Sequence, residues 1–161
     1  MQNAYLLIGS NLGNKEEQLS TAVHYIQQEC GRIVKQSAFY ETAPWGYTDQ
    51  PSFINQALWI QTELSPKDLM QSLLNIEAKM GRIRTIKLGP RMIDLDILQI
   101  DQEIMETTLL HIPHPAMTER RFALAPLAEI APDLLHPVTQ KTATELLIAC
   151  TDNSDVQKKL A

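Results

Sequence analysis

Ile93-Asp94-Leu95-Asp96-Ile97-Leu98-Gln99-Ile100 reads as a strongly apolar strand, and its place in the order of elements decides the fold. Working back from it, Ser65-Pro66 reads as a helix start, with Pro at the first helical position and Asp68 in the first turn. Leu69, Leu73, Ile76 and Met80 continue that helix at inward spacing. Residues 53–62, with Trp59 and Ile60, read as a strand, and so do residues 32–41, with Ile33, Val34, Phe39 and Tyr40. Residues 4–9 form a short buried strand, after which Asn14 can cap a helix carrying Glu16 and Glu17 at its positive end. Leu19, Ala22, Val23, Ile26 and Cys30 mark its inner face, and Gly31 ends it.

Working forward, residues 101–112 are hairpin-like, and residues 118–130 are helical with a break expected at Pro126. Residues 142–150 make a short last helix, and the polar residues 151–161 are expected to fray. The order β-α-β-β-α-β predicts an α+β fold: a ferredoxin-like βαββαβ core with a mainly antiparallel sheet, helices packed on it, and a C-terminal helical extension.

The 161 residues are expected to form a single domain, 1–161. Hydrophobic residues make up 44% and charged residues 20%, which excludes gross disorder. The net charge of −5 argues against a nucleic-acid or anionic-membrane partner, since both favour a basic face. Cys30 and Cys150 provide neither a disulfide framework nor a CxxC metal pair. No apolar run reaches bilayer length, so a soluble, cytoplasmic chain is expected.

Against this acidic background, Lys79, Arg82, Arg84, Lys87 and Arg91 form a basic island with no acidic residue among them. Two carboxylates follow it. On a strand, Asp94 and Asp96 point the same way, about 7 Å apart by strand rise. Ionised and unpaired in an apolar strand they would be costly, and a divalent cation removes that cost. Mg²⁺ is held by one or two carboxylates plus substrate phosphates. Arginine forks suit those phosphates. An alternative is that the aspartates pair with the arginines and merely hold the loop. Gly9-Ser-Asn-Leu-Gly13-Asn-Lys15 is not a P-loop, because Glu16 stands where a metal-binding hydroxyl belongs. Further along, His114 lies between Pro113 and Pro115, and Arg120 and Arg121 adjoin Phe122. Phe53 and Asn55 share a strand face and offer a ring and an amide edge to a heterocycle.

The signature Gly-Pro-Arg-Met-Ile-Asp-Leu-Asp-Ile at 89–97 resembles that of the 6-hydroxymethyl-7,8-dihydropterin pyrophosphokinase family. Ile8-Gly-Ser-Asn-Leu-Gly13, Phe39-Tyr-Glu-Thr-Ala-Pro44, Gly81-Arg-Ile-Arg84, Ile112-Pro-His-Pro115 and Glu119-Arg-Arg-Phe122 follow the family's order over nearly the full length. The resemblance implies transfer of pyrophosphate from ATP to the pterin's hydroxymethyl oxygen in folate biosynthesis. It implies two Mg²⁺ ions on Asp94 and Asp96, with ATP as co-substrate. Arg82 and Arg91 match the catalytic arginines. Glu77, Arg84, Ile97, His114 and Arg120 match ATP-contacting positions. Thr42, Ala43, Pro44, Trp45, Phe53, Asn55 and Phe122 match the pterin pocket. Leu74 and Leu88 depart from the family's usual glutamine and aromatic. The enzyme is expected to act as a monomer, and a non-catalytic nucleotide- or pterin-binding domain of the same fold is the alternative.

Overall fold

A computed structural model of the chain describes residues 1–42, 51–81 and 93–159. Its elements are β1 (Gln2–Ser10), α1 (Lys15–Glu29), β2 (Arg32–Gln36), β3 (Tyr40–Thr42), β4 (Phe53–Thr62), α2 (Pro66–Lys79), β5 (Asp94–Ile100), β6 (Met105–Glu106) and β7 (His111–Ile112). After a 3-10 turn at Met117–Glu119 come α3 (Arg121–Ile130), α4 (Ala143–Ala149) and β8 (Val156–Lys158). The main sheet runs β5-β1-β4-β3-β8, with β2 also paired to β4, and every pairing in it is antiparallel. The fold is thus α+β with a mainly antiparallel sheet.

Side-chain alternation along the strands divides the core into two layers. Ala4, Leu6 and Ile8 of β1, Leu58 and Ile60 of β4, and Leu95 and Ile97 of β5 face one way. Leu19, Ala22 and Ile26 of α1 and Leu69, Leu73 and Ile76 of α2 cover them. Tyr5, Leu7, Ala57 and Leu98 face the other way, beneath Ala123, Leu124, Leu127 and Ile130 of α3 and Ala143 and Leu146 of α4.

The helix starts follow the local chemistry. Asn14 accepts the N–H of Glu17, and Ser65 accepts that of Asp68 with Pro66 next to it. Thr142 and Glu145 form a reciprocal capping box on α4.

Four expectations need correction. Residues 32–41 are not one strand. Ser37 turns its hydroxyl to accept the Ala57 N–H, its carbonyl accepts from Gln56 Nε2, and the Ala38 N–H leaves the sheet for Glu129 Oε2, so the ladder breaks at 37–39. Pro126 does not break the helix. It lacks the N–H that would bond Phe122, but it is buried along with Ala123, Leu124, Leu127 and Ile130, and that packing outweighs one lost bond. The helix begins at Arg121 rather than 118, with residues 117–119 in the tighter turn. Residues 151–161 are not all frayed: Val156, Gln157 and Lys158 pair with Thr42, Glu41 and Tyr40. Polar side chains suit such an edge strand, because its backbone supplies the bonds.

Among the described residues, no helix is long and apolar enough to cross a membrane.

Candidate active site

The register of three strands sets the site. Gly9 lies opposite Asn55 of β4 on one side and opposite Asp94 of β5 on the other. Leu7 lies opposite Ala57 and Asp96 in the same way. Leu7 and Ala57 belong to the α3 layer, so Asp96, Asp94, Gly9, Asn55 and Phe53 share that face by alternation. The DxD pair and the Phe53/Asn55 pair, distant in sequence, are brought onto one surface.

Gly9 makes this row possible. A Cβ there would sit 2.3 Å from Asn55 Oδ1, so only the absent side chain leaves room for the carboxamide, which is itself 5% exposed. Sequence reasoning placed Gly9 at the end of a strand and in a family motif, with no reason for the missing side chain. Its partner across the sheet could be known only from the register.

Glu77 is 3% exposed, and its Oε2 accepts the Leu95 N–H at 2.8 Å. The bond holds β5 between the two aspartates. Pro66 and Ser65 start α2, and the helix spacing then brings Glu77 inward with Leu73 and Ile76.

Beside β5 lies a cleft of about 320 Å³, lined by Met70 and Leu74 of α2, Asp94, Leu95, Asp96 and Ile97, Leu109 to His111, His114 and Pro115. The size falls at the lower end for ligand pockets. Leu74 and Ile97 thus line one space.

The hairpin of β6 and β7 delivers His114, whose N–H bonds Leu98 O at 2.8 Å. Its Nδ1 accepts the Ala116 N–H, which puts the ring proton on Nε2 in the neutral form. Burial lowers the His114 pKa, Arg120 lowers it further, and Asp94 opposes them. His114 thus lies within the fields of both an expected phosphate-binding cation and an expected metal ligand. The Arg120 guanidinium stands 5.6 Å from the centre of the Phe122 ring.

At the far end of the row, Thr42 pairs with Phe53 and is 2% exposed. Its hydroxyl has no hydrogen-bond partner among the described residues. Ala43, Pro44, Trp45, Arg82, Arg84 and Arg91 lie outside the described residues.

The donor set fits magnesium. Among the described residues no group of three or more His, Cys, Asp or Glu could hold a metal ion. Two hard carboxylate oxygens on one strand face beside a cleft match an ion completed by substrate phosphates, rather than a closed protein cage.

Comparison with known proteins follows the same line. The family described as 7,8-dihydro-6-hydroxymethylpterin-pyrophosphokinase matches residues 5–132. The 2-amino-4-hydroxy-6-hydroxymethyldihydropteridine pyrophosphokinase of Methylorubrum extorquens is 44% identical over 98% of this chain and 99% of its own length. That of Bacillus subtilis is 43% identical over 96% of this chain and 88% of its own. Folic acid synthesis protein fol1 of Schizosaccharomyces pombe is 46% identical over 89% of this chain, which spans only 20% of that longer protein. In solved structures, the HPPK-DHPS of Plasmodium falciparum with pteroate superposes with a TM-score of 0.76 at 17% identity, over 92% of this chain and 42% of that one. At that identity the likeness shows the fold.

Proposed function

The chain belongs to the 7,8-dihydro-6-hydroxymethylpterin-pyrophosphokinase family, and from that premise we propose how its residues serve the reaction. It transfers the β,γ-pyrophosphoryl group of ATP to the hydroxymethyl oxygen of 6-hydroxymethyl-7,8-dihydropterin. AMP and the pterin diphosphate are the products, and the step belongs to folate biosynthesis.

The observation that carries the assignment of roles is the row Asn55–Gly9–Asp94, with Asp96 on the same face. Asn55 reads the donor and acceptor edge of the pterin, and Thr42, with Ala43, Pro44 and Trp45, completes that edge. Phe53 and Phe122 hold the bicyclic ring between them, each stacked pair contributing about 0.5–1.5 kcal/mol beyond area burial. The triphosphate lies over Asp94 and Asp96, with its nucleoside in the cleft beside Leu74 and Ile97. Two magnesium ions on those carboxylates would supply charge neutralisation and orientation of the phosphates. The neutral His114 donates from Nε2 to a phosphate oxygen. Arg84 and Arg120 bind the chain of phosphates, while Arg82 and Arg91 neutralise charge as the bond to AMP breaks. Glu77 keeps β5 straight beneath them. Positioning and charge compensation are the main contributions a protein makes to phosphoryl transfer.

We take residues 1–161 as one domain that works as a monomer in the cytoplasm. A ferredoxin-like βαββαβ core with a C-terminal extension is our reading of its topology, supported by the strand order β5-β1-β4-β2.

The test is a product assay with ATP, Mg²⁺ and the pterin. AMP, not ADP, should form. Asp96→Ala should abolish turnover while pterin affinity changes little; AMP formation that survives this substitution would remove the metal assignment.

A further inference from the structure

The C-terminal segment lies beyond residues 5–132, the part that the family description matches. It is nevertheless tied to both walls of the pterin pocket. Helix α3 begins at Arg121 with no side-chain cap from its own N-cap residue. Asp152 supplies the cap from elsewhere: its Oδ2 accepts the Arg121 N–H at 3.0 Å, and its carbonyl accepts from Arg121 Nε at 3.1 Å. The other carboxylate oxygen is held in turn by the N–H and the hydroxyl of Ser154. Four residues on from Asp152, Val156 pairs with Thr42.

The segment therefore runs alongside α3 and β3. Its far end is pinned as well. Lys158 pairs with Tyr40 and lies 3.5 Å from Glu129 Oε1, the same oxygen that accepts the Tyr40 hydroxyl at 2.7 Å. Phe122 rides on the first turn of α3 and Thr42 on the last residue of β3. The segment joins these two elements at both ends.

We propose that Asp152 is a positioning residue for the pterin pocket: by capping α3 from the strand segment that pairs with β3, it fixes the separation of Phe122 from Thr42 and Phe53. The proposal rests on the assignment of those three residues to the pterin. A loose α3 N-terminus lets the Phe122 ring drift, and the stacked geometry then has to be recovered on binding.

The test measures the Kd of 6-hydroxymethyl-7,8-dihydropterin by calorimetry, with Mg²⁺ and a non-hydrolysable ATP analogue, beside steady-state AMP formation and thermal melting. Asp152→Ala should weaken pterin binding about fivefold, the loss of one helix cap, with kcat nearly unchanged. Asp152→Asn keeps an accepting oxygen and should restore most of the affinity. Ser154→Ala, a mild surface change, should move the Kd in the same direction by a smaller factor. A cap that only supports the fold would lower the melting temperature and leave the Kd of the folded protein alone. Wild-type Kd in both Asp152→Ala and Ser154→Ala, with normal AMP formation, overturns the positioning role and leaves the enzymatic reading intact. A wild-type chain that binds the pterin but forms no AMP overturns the enzymatic reading instead, and the Kd comparison still decides the role of Asp152.

Discussion

Gly9 and Gly31 both forbid a side chain, for reasons that predict opposite consequences. At Gly9 the obstacle is Asn55 Oδ1, the end of a side chain that can swing aside. Gly9→Ala should leave the fold nearly intact and displace the carboxamide, weakening the pterin's KM about fivefold through one lost hydrogen bond of about 1 kcal/mol. At Gly31 a Cβ would sit 2.3 Å from the Gln61 backbone oxygen, near the C-terminal end of β4. That oxygen cannot yield without moving the sheet, so Gly31→Ala should lower stability by about 1–3 kcal/mol as overpacking does. Denaturant midpoints and pterin KM values together separate the two cases. The sequence showed Gly31 as a helix stop; what it could not show was the strand that crosses behind it.

At the scale of elements, spacing and caps were legible where one helix or strand makes its own case. Asn14, Ser65-Pro66 and the apolar, strand-forming residues of β4 and β5 are local signals, and the elements stand where those signals put them. Ser37, Pro126 and residues 156–158 were misread because each depends on a partner far away: Ala57, the α3 core layer and β3 respectively. Glu77, placed near the nucleotide by the family resemblance alone, also has a distant backbone partner that its position in the sequence does not reveal: its carboxylate accepts the Leu95 N–H of β5. Glu77→Ala should strand the buried Leu95 N–H at a cost of about 1–3 kcal/mol, read as a lowered melting temperature together with reduced AMP formation. Glu77→Gln retains an acceptor of the same length and should recover most of both. An Ala variant with wild-type stability would show that the bond to β5 carries no weight.

For the molecule as a whole, the order of elements was readable and the pairing register was not, and the register is what assembles the site from residues 9, 55 and 94. Stability against pH is also a property of the whole chain. His136 is 5% exposed, and its Nδ1 accepts the N–H groups of Val138 and Thr139. Burial lowers its pKa from 6.5. The unfolded chain takes up a proton near that value and the folded chain only below it. The contribution is therefore complete above pH 6.5 and is lost as pH falls through the folded value. His114, lowered by burial and Arg120, adds a loss of the same sign. His136→Asn should flatten the decline in melting temperature between neutral and mildly acidic pH. An unchanged slope would mean that other groups set it.

The row through Gly9 has one more consequence. Adjacent strands stand about 4.8 Å apart, so the backbones that carry Asn55 and Asp94 are about 10 Å apart. Peptide ladders on both sides of β1 hold that interval, and no side-chain rotation alters it. With the proposed roles of Asn55 and Asp94, the sheet would act as a caliper between the heterocycle and the reacting phosphorus. A homologue whose arm carries one extra methylene would dock its rings equally well and present its oxygen in the wrong place, so discrimination between such compounds rests on length.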